Sequence, residues 1–316
     1  MTPDDANPSR GTVNEDSTGY PLQPVAPELQ QLMSDKPFER LVFERLLGRA
    51  ERSGPTVSTR STRAPATAPG ITTISTGHGP HSVAVSPDGT RLYVTNFLSD
   101  SVSVVDLSRE AVVQTISGLD GPYGLAANPN GQNLHVAQPG DNFLLMLDLT
   151  TGIKAASGFA HSPYGVAVSP DGARIYLSLA RENSVLVTDH FAKAEFGTFR
   201  DIDFPVGVAV NADETRLYVT NYFANSVSVI DSHSGSVLDR LTVNDGPYGV
   251  ALTRDGARLY IAHFPHDSVS VIDTSSWSVV GTVSVGGTPR GVAVDPSGTR
   301  LYVTNFFAAT VSVIPL

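Results

Sequence analysis

The chain of 316 residues contains no cysteine, which removes disulfides, thiolate metal sites and cysteine nucleophiles. Basic side chains are scarce: 21 Lys and Arg against 31 Asp and Glu leave a formal charge of −10. That balance argues against a nucleic-acid partner, because sequence-independent binding of a phosphate backbone needs a basic footprint. No stretch approaches the ~20 apolar residues that a membrane-spanning helix requires. The first residues, Met1 to Leu22, carry neither the basic start nor the apolar run of a secretory signal. The chain is therefore read as cytoplasmic, with no membrane partner. Walker-type loops and dinucleotide fingerprints are missing too, since the glycines punctuate turns rather than strand-to-helix junctions.

What the chain does have is repetition. The stretch Gly79-Pro80-His81-Ser82-Val83-Ala84-Val85-Ser86-Pro87-Asp88-Gly89-Thr90-Arg91-Leu92-Tyr93-Val94-Thr95-Asn96 returns down the sequence, its first proline reappearing as Pro122, Pro163, Pro205, Pro247 and Pro289. The period of about 42 residues lies in the range of propeller-type arrays. Six copies fill residues 71–316.

Each repeat divides into four short runs rich in β-branched and aromatic residues, separated by turn residues at hairpin spacing. In the first copy these are strand A (Val83-Ala84-Val85), strand B (Arg91 to Thr95), strand C (Ser101 to Asp106) and strand D (Val112 to Ile116). Near-continuous apolar runs in strand A imply that both faces are covered, as in sheets stacked radially. The array opens on a D-type run, Ile71 to Ser75, and stops after a C-type run, Thr310 to Ile314. Pairing the two closes the ring and hides both free edges. The expectation is an all-β, six-bladed propeller of four-stranded antiparallel blades over 71–316.

Ahead of it, residues 1–25 are polar and read as a disordered tail. Residues 26–52 read as a helical extension in which Phe38, Leu41, Val42 and Leu46 form one apolar stripe. That stripe packs on the propeller or, over residues 36–52, offers a dimer or partner contact. Residues 53–70, rich in Ser, Thr, Ala and Pro, read as a linker.

Leu92-Tyr93-Val94-Thr95-Asn96, Leu217-Tyr218-Val219-Thr220-Asn221 and Leu301-Tyr302-Val303-Thr304-Asn305 resemble the YVTN family of β-propeller repeats, as do Gly121-Pro122-Tyr123-Gly124 and Gly246-Pro247-Tyr248-Gly249. The likeness covers about three quarters of the chain. It departs from the family in ring size, commonly seven, and in repeats two and three, which carry His135-Val136-Ala137-Gln138 and Tyr176-Leu177-Ser178-Leu179. The resemblance implies the propeller fold. It extends to surface-layer proteins, redox-protein subunits, lactonase-like proteins and, more distantly, streptogramin lyase-type propellers, so it implies no single function.

Comparing repeats separates scaffold from decoration. Asp106, Asp148, Asp189, Asp231 and Asp273 recur at each C–D turn, where Asp satisfies backbone groups. Tyr93, Tyr176, Tyr218, Tyr260 and Tyr302 read as inter-blade packing; His135 replaces that tyrosine in blade two and reads as a core histidine. The starts of the A strands and the ends of the B strands share one face around the axis. His81, Tyr123, Tyr164, Val206, Tyr248 and Arg290 form one set, and Asn96, Gln138, Leu179, Asn221, His263 and Asn305 the other. Blades five, six and one, neighbours after closure, concentrate His263, Arg290 and His81.

Three functions fit. The first is a lyase, cyclase or isomerase acting on a small metabolite at the channel mouth. His81 and His263 would transfer protons and Arg290 would hold a carboxylate or enolate oxygen. Tyr123, Tyr164, Tyr248 and Phe306 would wall the pocket, with Asn96, Asn221, Asn305 and Glu182 as polar lining, and no cofactor would be needed. The second is a non-catalytic scaffold binding a small ligand, peptide or protein at its rim. The third is a divalent-metal site built from His78, His81, His263 and His266. Against all three stands the simplest reading, in which these are ordinary loop residues.

Overall fold

The computed structural model describes residues 70–158, 162–264 and 266–316. The expected tail (1–25), helical extension (26–52) and linker up to residue 69 lie outside the described residues. Within them, six four-stranded antiparallel sheets form, each in A–B–C–D order. The innermost strands touch in cyclic order, so the sheets are the blades of a ring.

Blade one shows the pattern. Its strands are Pro80–Val85, Arg91–Asn96, Ser101–Asp106 and Ala111–Ser117. Strands B and C are buried along nearly their whole length, because neighbouring blades cover both faces. Strand D is exposed along nearly all of its length and forms the outer edge. The ring closes as the end sequences require: Thr72–Ser75 pairs antiparallel with Thr310–Pro315, from Thr72 opposite Val313 to Ser75 opposite Thr310. Ile74 of that closing strand is 2% exposed and joins the core between blades six and one.

The recurring aspartates cap turns. Asp106 Oδ1 accepts from the backbone N–H groups of Ser108 and Arg109, and Asp273 Oδ1 from those of Ser275 and Ser276. The recurring tyrosines pack between blades: Tyr93 and Tyr302 lie in inter-blade apolar clusters, and Tyr176 donates its hydroxyl to Glu214 of blade four at 2.8 Å.

The geometry at the axis positions everything else. In blades one, four, five and six, strand A carries a bulge just after its proline. In blade one Pro80 faces Asn96 and Val83 faces Val94, so His81 and Ser82 together oppose Thr95 alone. Val206-Gly207, Tyr248-Gly249 and Arg290-Gly291 occupy the same bulge. A bulge redirects the side chain it carries, and here it directs one residue per blade toward the axis.

The strand-B hydroxyl opposite the bulge then links blades. Thr95 Oγ1 accepts from Ser82 N–H at 2.9 Å and donates to Tyr123 O of blade two at 2.7 Å. Ser178 bonds Gly165 and Val206 in the same way, Thr220 bonds Gly207 and Tyr248, and Thr304 bonds Gly291 and His81. The glycine that follows the inward residue in blades two to five is demanded by space rather than by dihedral angle. A Cβ on Gly124, Gly165, Gly207 or Gly249 would overlap the carbonyl oxygen of Tyr164, Val206, Tyr248 or Arg290 on the next blade.

Gly207→Ala is therefore expected to cost roughly 3 kcal/mol, since overpacked backbone cannot move aside. Gly256→Ala, in an exposed turn at φ +73 with nothing within 4 Å of the added carbon, should cost about 1 kcal/mol. Urea unfolding of both variants checks the contrast, and equal losses would contradict the close approach.

Candidate functional site at the hub

The six residues that the bulges and proline turns direct inward are all buried: His81 3%, Tyr123 2%, Tyr164 3%, Val206 5%, Tyr248 7% and Arg290 3% exposed. One contact shows that they meet at the axis. His81 Nε2 and Tyr248 Oη share a 2.9 Å hydrogen bond, although blade six stands between blades one and five. Such a bond exists only across the centre of the ring.

Around that bond the aromatic rings interlock. The His81 imidazole lies 4.0 Å from Tyr123, centroid to centroid, and Tyr123 meets Tyr164 edge-on at 5.1 Å. A second tier comes from the B–C connections: Phe97 lies edge-on to Tyr123 at 5.2 Å, and Tyr222 meets Tyr248 at 5.9 Å. Arg290 sits within this tier. Its guanidinium carbon is 3.8 Å from the Phe306 centroid, 4.6 Å from Phe264 and 5.3 Å from Tyr248. Ring faces are negative, so each attracts the cation, by about 2 kcal/mol where water is excluded. The Tyr123 hydroxyl is a buried group with no hydrogen-bond partner among the described residues.

Burial dominates the protonation of His81, and Arg290 beside it adds repulsion, so its pKa lies well below the ordinary histidine value. The imidazole is neutral at pH 7. His263 is likewise lowered, to about 4, mainly by burial.

The structure brings together His81, Tyr123, Tyr164, Tyr248, Phe306 and Arg290. It uses the strand-B ends differently. Asn96 Nδ2 donates to Ser101 and Ser103, Asn221 to Ser226 and Ser228, and Asn305 to Thr310 and Ser312. These amides clamp strand B to strand C inside their own blades. His263 occupies the same position, its Nε2 2.8 Å from Ser270 Oγ. The spacing Asn-x4-Ser/Thr-x-Ser was visible in the sequence and carried this signal. Of the four histidines of the metal alternative, His81 is bonded to Tyr248 and His263 to Ser270, while His78 and His266 are exposed. Among the described residues no three His, Asp or Glu side chains gather at metal-binding distance.

Glu182 belongs to another concavity on the same face. It lines an open cleft at the junction of blades three and four with Asn183, Arg200, Asp201, Ile202, Asp203 and Arg240. Arg240 donates to the carbonyl oxygen of Asp201 across the junction. Arg200, Asp201, Asp203 and Arg240 were not anticipated, because they lie in D–A connections and an outer strand.

The family profile of YNCE-like β-propellers matches residues 141–298. The chain belongs to the YNCE-like β-propeller family. Two solved structures share the architecture of this YNCE-like propeller. Kuenenia stuttgartiensis hydrazine synthase is 19% identical, with a TM-score of 0.62 over 83% of this chain and 99% of that one. The β-propeller domain of Myceliophteria thermophila Cps50 (Swd1) is 12% identical, with a TM-score of 0.59 over 78% of this chain and 98% of that one. At such identities the likeness shows the fold alone. No curated protein matches the sequence. Among the described residues no helix is long and apolar enough to cross a membrane.

Two outcomes follow from the buried hub. By NMR the His81 imidazole should remain neutral from pH 8 down to 5.5, and Arg290→Met should raise its pKa by removing the neighbouring cation. Below about pH 6.5 the unfolded chain takes up protons that buried His81 and His263 refuse, so stability should fall on acidification. A thermal-unfolding series flat between pH 7 and pH 4.5 would contradict that burial.

Proposed function

We propose that this propeller is a non-catalytic binding module that takes a peptide or protein segment at its rim, in the cleft between blades three and four. The observation that carries this reading is the filled hub. All six inward residues are at most 7% exposed, which supports an axial end filled by packed rings. An open concavity lies at the rim, opposite the junction of blades six and one. Its lining carries both signs, with exposed Arg200 and Arg240 beside exposed Asp201 and Asp203. Alternating charge suits a segment of mixed sign and disfavours a polyanion. Ile202, 3% exposed, anchors the connection so that those flanking charges are held in place.

A second reading keeps acid–base chemistry at the hub, of lyase, cyclase or isomerase type, and the His81–Tyr248 bond beside Arg290 favours it. Neutral His81 would accept a proton, Tyr248 would relay it and Arg290 would hold a small carboxylate. In this reading His263 acts on packing through Ser270 and not on substrate. The reading requires Phe306 or Phe97 to swing away before a ligand can enter.

The two readings separate in one experiment. Peptides selected from a random display library on the wild-type protein should carry both charges. They should lose at least tenfold in affinity against Arg200→Glu/Arg240→Glu and keep it against Arg290→Gln. Peptides indifferent to the cleft variant would overturn the rim reading. Stabilisation by pyruvate, citrate or acetate that vanishes in Arg290→Gln would instead support hub chemistry.

A further inference from the structure

The seam between blades two and three departs from the repeat at both sides of one contact. In blade one Tyr93 packs toward Leu149 of blade two, and in blade six Tyr302 packs with Leu107 of blade one. The corresponding pair between blades two and three is His135 and His190. Neither the tyrosine position nor the position after the C-strand aspartate is histidine in any other blade: the counterparts are Tyr93, Tyr176, Tyr218, Tyr260 and Tyr302 on one side, and Leu107, Leu149, Ser232 and Thr274 on the other. Two imidazoles therefore face each other at one seam only, where the two seams of blade one pair tyrosine with leucine.

Their geometry is specific. His135 Nε2 lies 3.2 Å from His190 Nδ1, with the rings edge to face at 4.8 Å. Two nitrogens at about 2.0–2.1 Å from a tetrahedral zinc ion stand about 3.3 Å apart. Asn128 completes the group, its Nδ2 3.0 Å from the same His190 Nδ1. Rotation of that amide would present Oδ1, now accepting from Asn130 N–H, as an oxygen donor. His135 is fully buried, and its Nδ1 has no hydrogen-bond partner among the described residues, so its contact with His190 is what orients the ring. His190 is only half-buried, which leaves a route for an ion and for water ligands. Burial holds the His135 pKa down to about 3, and His190 is lowered as well, so both rings are unprotonated and ready to ligate at pH 7.

The same seam lacks a link found elsewhere. The strand-B position that carries the bridging Thr95 hydroxyl in blade one is Ala137 in blade two, so the belt link there is the backbone bond from Gly124 N–H to the Tyr164 carbonyl at 2.9 Å. An ion shared by strand B of blade two and the C–D turn of blade three would add a side-chain link to that backbone bond.

We propose that His135 and His190, with Asn128, form a binding site for a borderline transition-metal ion of the zinc class that staples blade two to blade three. Binding needs His135 in its Nδ1–H tautomer and releases no net proton. Water fills the remaining coordination positions, so affinity is in the micromolar range and selectivity follows imidazole preference.

The test uses the full chain, stripped with EDTA and dialysed, with zinc chloride as the probe. Calorimetry should show one zinc per chain that requires both imidazoles, and saturating zinc should raise Tm by several degrees. His135→Tyr and His190→Leu install the residues that other blades carry, so both should fold, and each should abolish the shift. His78→Ala/His266→Ala should retain it. A wild-type protein indifferent to zinc, a shift surviving in a folded His135→Tyr or His190→Leu variant, or its loss in the His78/His266 variant would each overturn the proposal.

Discussion

Backbone meeting backbone at the axis is the constraint on which this molecule depends. In blades two to six, strand A approaches the carbonyl of the next blade more nearly than a side chain permits. Glycine at the bulge allows that approach, and the neighbouring Thr or Ser hydroxyl converts it into two hydrogen bonds, one within the blade and one across the seam. Blade one carries Ser82 where the others have glycine, and blades two and five carry Ala137 and Ala262 where others have a hydroxyl. The belt is therefore incomplete at two opposite seams. At one of them Arg290 and its aromatic cage bridge the gap, and at the other the His135–His190 pair does.

The tight axis also sets the electrostatics. Residues redirected inward by the bulges have no water to face, so they must satisfy one another. His81 does so by staying neutral and sharing a hydrogen bond with Tyr248, and Arg290 by lying against three ring faces. A charge in such a place is costly unless it is compensated, and the aromatic tier contributes to that compensation. The asymmetric decoration of blades five, six and one is thus part of how the ring is filled, whatever chemistry it also supports.

The architecture was legible from the sequence because it is periodic. A constant spacing gives the blade count, turn residues at hairpin spacing mark the four strands of each blade, and the mismatched ends foretell the closing strand Thr72–Ser75. The inward direction of His81, Tyr248 and Arg290 was legible for the same reason. Their depth was not, since depth follows from how closely neighbouring blades approach, and that distance depends on glycines whose function only the packed ring reveals. His263 shares the register of Asn96, Asn221 and Asn305, and its bond to Ser270 joins strands B and C as theirs do, a packing role that the repeat comparison carried and a reading from residue chemistry did not. The rim cleft escaped notice because Arg200, Asp203 and Arg240 come from connections and an outer strand that vary freely between repeats.

Histidine acylation by diethyl pyrocarbonate, followed by mass spectrometry of the native protein, tests the filled hub most directly. His78, His233 and His266 are exposed, while His81, His135 and His263 are at most 3% exposed. The account predicts prompt modification of the first three and protection of the second three until the protein unfolds. A His81 that reacts as fast as His78 in the folded protein would mean an open axial mouth, and the packing described for the hub would be wrong.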